Sequence, residues 1–188
     1  MPNNSPKRRP VNLSLLALTL LCLAFPFTAV SCESPMANIS AEYTGWDLAF
    51  GGEATIEMSG KADESAYASK SAIPGQPLMV VALLVLLAGI VVLSRSKAGH
   101  LLGAGVGALG AFFLIANQVS VHDFLASGLS SAENLDPAAA SDMVESRFGF
   151  WLALLLTLGV VAYNATALAL GGRTARTVGP SAPDPTRS

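Results

Sequence analysis

Few residues in this chain of 188 have the types and spacing to do chemistry. Gly105-Val106-Gly107-Ala108-Leu109-Gly110 spells the glycine string that cradles a dinucleotide pyrophosphate. That chemistry needs a strand before the turn and a helix after it. Here the string lies inside an unbroken apolar run, where small residues let two helices approach closely. No nucleotide is expected, and a net charge of −2 gives no general attraction for nucleic acid. His100 and His122 are the only histidines, and the charge pattern below puts them on opposite sides of a membrane. They cannot share a metal. The acids are scattered among Ser, Ala and Gly, as solvated charges are. No loop gathers a nucleophile with a base, or His with carboxylates at ligand spacing. No catalytic set, cofactor or metal is therefore expected.

Two places remain. Asn164 is a strongly polar side chain deep in an apolar stretch. Such groups turn inward and find a partner, either a ligand or, more simply, an interhelical hydrogen bond. Trp46 and Asp47 follow Gly45 in an otherwise polar region. An isolated Trp there is an interaction hot spot, a small core or an interfacial anchor.

The elements that must position these residues are apolar helices. Hydrophobic residues make up 52% of the chain and charged ones 13%, against roughly 25% charged in soluble domains. Four apolar segments, Val11–Val30, Leu78–Leu93, Leu101–Val119 and Phe148–Leu170, contain no Asp, Glu, Lys or Arg. Each is near the ~20 residues that cross a ~30 Å hydrocarbon core. The expected fold class is an all-α membrane protein, a bundle of four transmembrane helices with a small β-containing outer loop domain. The expected spans are 11–31, 78–94, 101–119 and 148–171. Between them lie an outer loop domain at 32–77, a short loop at 95–100 and a second outer loop at 120–147. The ends, 1–10 and 172–188, read as disordered, being polar and Pro-containing.

Charge sign orients the chain. Lys7, Arg8 and Arg9 precede the first segment, Arg95 and Lys97 separate the second and third, and Arg173, Arg176, Asp184 and Arg187 follow the fourth, eight basic residues against one acid. The gaps 32–77 and 120–147 hold twelve acids against Lys61, Lys70 and Arg147. Basic loops stay cytoplasmic. Both ends are therefore expected inside and both acidic gaps outside, with the bilayer of a bacterial inner membrane as the first partner.

Lys7-Arg8-Arg9, the Leu-rich stretch after it and Thr28-Ala29-Val30-Ser31-Cys32 also resemble a secretory signal ending in a lipobox. That resemblance makes Cys32 a possible lipidation site, with three spans left after cleavage. Ala29 stands where Leu is usual, and Phe25-Pro26-Phe27 is bulky for such a site, so a retained helix is the preferred reading. Cys22 and Cys32 are too far apart along one helix, at about 15 Å, to form a disulfide. Pro26-Phe27, Val30-Ser31-Cys32 and Gly45-Trp46-Asp47-Leu48-Ala49-Phe50-Gly51 resemble the first helix exit and outer loop of uncharacterised bacterial four-helix membrane proteins. The resemblance covers about 25 residues in that region and implies a topology but no activity. The claudin-type layout is similar in outline only, because this loop lacks the Cys pair.

In the first outer loop Ile39, Ala41 and Tyr43, then Trp46, Leu48 and Phe50, then Ala54, Ile56 and Met58 alternate with other residues. The pattern predicts strands turning at Gly51-Gly52. Ser59 to Pro77 reads as a linker. In the second loop Asp136-Pro137 predicts a helix start, and nothing breaks the pattern before Phe148, so one helix is expected from Pro137 to about Gly171. Gly103, Gly107, Gly110, Leu114 and Asn117 fall on one stripe of the third segment and Ala153, Thr157, Val160, Asn164 and Gly171 on one stripe of the fourth, which predicts that the two pack face to face.

Three function classes follow. A non-enzymatic membrane protein that presents an outer domain to a membrane-protein partner, or to a second copy, fits best. A small transporter or channel component would want charges or broken helices in the spans. A membrane enzyme would want a catalytic set. The lipoprotein anchored at Cys32 is a further alternative.

Overall fold

The computed structural model describes residues 8–34, 37–59, 72–95 and 99–177. Helix α1, Arg8–Cys22, ends well before the expected residue 31. Pro26 is the reason: it has no N–H to donate and it disfavours helical backbone in the residue before it. From there the chain runs as strand β1, Pro26–Ser34, and returns antiparallel as β2, Ala37–Thr44. Cys32 thus lies in a strand, opposite Ile39, and not at a helix exit.

The next segment is also a correction. Gly45–Phe50 forms a short helix, α2, where strand was expected. Thr44 caps it: its side chain accepts from the Asp47 N–H, while the Asp47 carboxylate accepts from the Thr44 N–H. This reciprocal box satisfies two backbone donors that strand alternation leaves out of account. Gly51, at φ 79°, closes the helix. Strand β3, Thr55–Ser59, then pairs with β2, so the turn is a helical excursion and not a tight hairpin at Gly51-Gly52.

Helix α3 spans Pro77–Arg95 and α4 spans Gly99–Glu133. The second is 35 residues, about 50 Å long at ~1.5 Å per residue, and so outruns the expected end at Val119 by several turns. Asn134, at φ 51°, stops it. Helix α5, Pro137–Asp142, starts at Asp136 as its cap signals. It does not continue into α6, Phe148–Thr177. Residues 143–147 are non-helical, and Val144–Ser146 forms strand β4 beside β1. Pairing with a distant strand overrides a local pattern that contains no breaker. The sheet is four-stranded, in the order β3-β2-β1-β4, and draws on both acidic segments.

Three helices are long and apolar enough to cross a membrane: Pro77–Arg95, His100–Ala132 and Phe148–Ala169. At 15 residues α1 is shorter, about 22 Å against the ~30 Å hydrocarbon core. It lies against α3 and α6, and α4 lies against the same two, so the four close a bundle. Leu16, Leu86 and Val160 fill one end of the core. Met79, Leu114, Phe150, Leu48 and Tyr43 fill the other, where the row Ile56, Ala41, Val30 and Val144 lays one face of the sheet on the bundle. The linker expected from Ser59 to Pro77 and the expected disordered ends lie mostly outside the described residues, although α1 begins at Arg8 and α6 reaches Thr177.

Candidate functional site

The buried asparagines of the bundle, with Gln118, gather at two levels. At the basic end Asn164, fully buried on α6, donates from Nδ2 to Asn12 Oδ1 at 3.1 Å, and Asn12 Nδ2 donates back to Asn164 Oδ1 at 3.0 Å. Asn164 Nδ2 also donates to the Val160 carbonyl, and His100 Nδ1 lies 3.4 Å from Asn164 Oδ1. A Cβ at Gly103 would fall 2.7 Å from Asn164 Nδ2. The glycine leaves room for the amide pair. Gly107 and Gly110 continue the same face toward α6 and α3. A Cβ at Gly107 would lie 3.0 Å from the Thr157 carbonyl oxygen, and one at Gly110 3.1 Å from Leu86 Cδ2. Asn164 is therefore held by a side chain of α1 that the charge and glycine patterns did not single out.

At the acidic end Gln118 of α4, also buried, donates from Nε2 to Ser146 Oγ at 2.8 Å and to Thr28 Oγ1 at 3.2 Å. One amide thus ties β1 and β4 to the bundle. Its neighbour Asn117 is buried, and its Oδ1 has no hydrogen-bond partner among the described residues. Asn117 shares the glycine stripe of its helix, whereas Gln118 lies in a stretch whose composition predicts only an apolar span. Polar side chains within such a run are the signal that finds them.

The face of the sheet turned from the bundle is polar. Glu42 and Glu145 both oppose Ala29, while Ser40 lies between Ser31 and Glu57. Arg147 reaches over this face: Nη1 lies 3.3 Å from Glu145, Nε 3.5 Å from Glu42, and Nη2 donates to Ser31 Oγ at 3.4 Å. Nε is buried and makes no hydrogen bond among the described residues, so the Glu42 contact is an ion pair without a directed bond. Such partly solvated pairs contribute little stability each. Their effect is to fix a guanidinium across three strands, between the carboxylates of Glu42 and Glu145 and the Ser31 hydroxyl.

Trp46 and Asp47 part company on α2. The Asp47 carboxylate is engaged by Thr44, accepting from its N–H at 2.9 Å and its hydroxyl at 2.6 Å. Trp46 projects outward and stacks on Phe50, ring centroids 5.8 Å apart. Beneath, Tyr43 is buried, and that burial, followed by the nearby Asp47 charge, raises its phenol above the usual ionisation range.

Amides, hydroxyls and one guanidinium can orient, bind and recognise, but they supply no nucleophile with a base. Among the described residues no three of His, Cys, Asp and Glu lie together as metal ligands would. No protein-family model matches the chain, and comparison with curated proteins gives no match.

Proposed function

We propose that this is a non-enzymatic multi-pass protein of a bacterial inner membrane, with both ends cytoplasmic, that presents its sheet on the outer side to a membrane-protein partner or to a second copy of itself. One observation carries the reading. The two acidic segments, separate in sequence, contribute strands to a single sheet whose polar face, with Glu42 and Glu145 around Arg147 and Glu57 on the next row, is turned from the bundle. Positive-inside orientation puts those segments outside. Rigid attachment through Gln118 suits a surface that must be held at a fixed angle. Association across such a face gains specificity from charge complementarity more than raw affinity.

A photo-cross-linking side chain at Glu57, activated in native membranes, tests the reading. The expected product is one discrete adduct, with a second copy or with one other protein, that is lost when Arg147 is replaced by Glu. Absence of any adduct at Glu57 and at Glu145, together with solute flux through liposomes holding the pure protein, would instead make it a transporter.

A further inference from the structure

We propose that α2 is an interfacial helix, which rests its Trp46–Phe50 face in the headgroup region of the outer leaflet and sets how deeply the bundle sits. The inference rests on the membrane reading above and adds a second contact between the protein and lipid.

The level of α2 along the bundle is fixed by two backbone bonds. The Trp46 N–H donates to the Leu23 carbonyl, just past the end of α1, and the Gln76 N–H donates to the Leu48 carbonyl, just before α3 begins. A short helix tied at one point to the end of one bundle helix and at another to the start of its neighbour runs across the bundle end. Helix α3, Pro77–Arg95, measures about 28 Å at ~1.5 Å per residue, close to the hydrocarbon thickness. Its first residue therefore marks the outer boundary of the hydrocarbon, and α2 lies at that depth.

The two sides of α2 differ as an interfacial helix requires. Gly45, Leu48 and Ala49 are buried, and Gly45 is so close to Leu23 that a Cβ there would lie 3.0 Å from its Cα. Trp46 is 42% exposed and Phe50 64%. Large aromatic rings left uncovered side by side cost free energy in water. They are favourable at the headgroup level, where amphipathic rings are enriched. The one carboxylate on α2 does not oppose this placement, because Asp47 is already hydrogen-bonded by the Thr44 cap.

The rings continue around the bundle at the same level. Phe25, between α1 and β1, meets Phe148 at the start of α6 edge to face, with centroids 6.5 Å apart. Trp151 follows one turn further, also exposed. Below them Leu21 and Leu155 are exposed apolar residues on the bundle surface. The α2 patch thus lies near the level of other exposed rings that cap the apolar bundle surface, which commits its occupant to lipid and not to a protein.

The chain has two Trp residues, Trp46 and Trp151, and two conservative variants separate them. Trp151→Phe leaves Trp46 as the sole reporter and Trp46→Phe leaves Trp151. Each is reconstituted in phosphatidylcholine vesicles, with and without lipid brominated near the headgroup, and titrated with aqueous iodide. The expected result is that Trp46 loses most of its emission to the brominated lipid and little to iodide, as Trp151 does. Quenching of Trp46 by iodide alone, or by neither agent, while Trp151 responds to the lipid, would overturn the interfacial placement and leave the membrane reading standing. If neither Trp responds to brominated lipid, the membrane reading fails as well.

Discussion

The side-chain amides of Asn12 and Asn164, 152 positions apart on α1 and α6, exchange two hydrogen bonds inside the bundle. Each amide is buried, so deleting one takes the cross-helix partner from the other; without Asn12, Asn164 keeps the Val160 carbonyl and the His100 contact. Asn12→Ala and Asn164→Ala should each lower the melting temperature in detergent, and the double variant should lose less than the two losses together. A coupling of ~0.6–1.7 kcal/mol is the range for interhelical bonds of this kind. Strict additivity in the double-mutant cycle would mean that the pair does not hold α1 in place.

Two glycines of α4 make a paired test of close helix approach. A Cβ at Gly107 would meet the Thr157 backbone oxygen at 3.0 Å and Val161 Cγ2 at 2.9 Å, whereas one at Gly105 would meet nothing within 4 Å. Gly107→Ala should cost about 1–3 kcal/mol, the range for overpacking. Gly105→Ala should stay within ~0.5 kcal/mol of the parent. Equal losses in thermal unfolding would remove the special role of the α4–α6 contact.

The glycine stripe was legible because small residues inside an apolar run have few uses. Other features left signals that alternation and length obscured. Thr44 and Asp47 have the spacing of a capping box, which outranks the apparent alternation of Trp46, Leu48 and Phe50. Pro26 marks where α1 must stop. The break before α6 had no local signal, because Met143 to Arg147 contains neither Gly nor Pro. There the partner decides: Val144 lies opposite Val30 on a strand more than a hundred positions away, and no window of sequence contains both. Gln118 was visible as an amide, but its partners Thr28 and Ser146 appear only once the sheet exists.

Tyr43 gives the outer domain a pH dependence. Burial first, and the Asp47 charge second, raise its phenol, so the folded state holds that proton more tightly than the unfolded chain does. The contribution is complete at neutral pH and is lost as pH climbs from the free tyrosine value of about 10 toward the raised one. In alkaline absorbance titration, the component removed by Tyr43→Phe should have a midpoint above that of a model peptide. Asp47→Asn should move it down only part of the way, since burial remains. A midpoint at the peptide value in the parent would contradict the buried setting.

Retention of the first helix follows from what α1 and β1 hold. Cleavage before Cys32 would remove α1 from its place against α3 and α6, together with most of the strand that joins β2 to β4. Intact-mass measurement of the membrane-extracted protein should show α1 still attached and Cys32 unmodified. A product that starts at a diacylglyceryl-modified Cys32 would overturn this.

In the proposed orientation both ends of the chain lie on the cytoplasmic side and the sheet on the other. Lys7, Arg8, Arg9, Arg95, Lys97, Arg173, Arg176 and Arg187 all fall at one end of the spans, and basic flanks stay inside. The most direct measurement fuses a paired reporter, one half active only in the cytoplasm and the other only outside it, after Ser188. The expected result is activity of the cytoplasmic half alone. Activity of the external half from that fusion would contradict it.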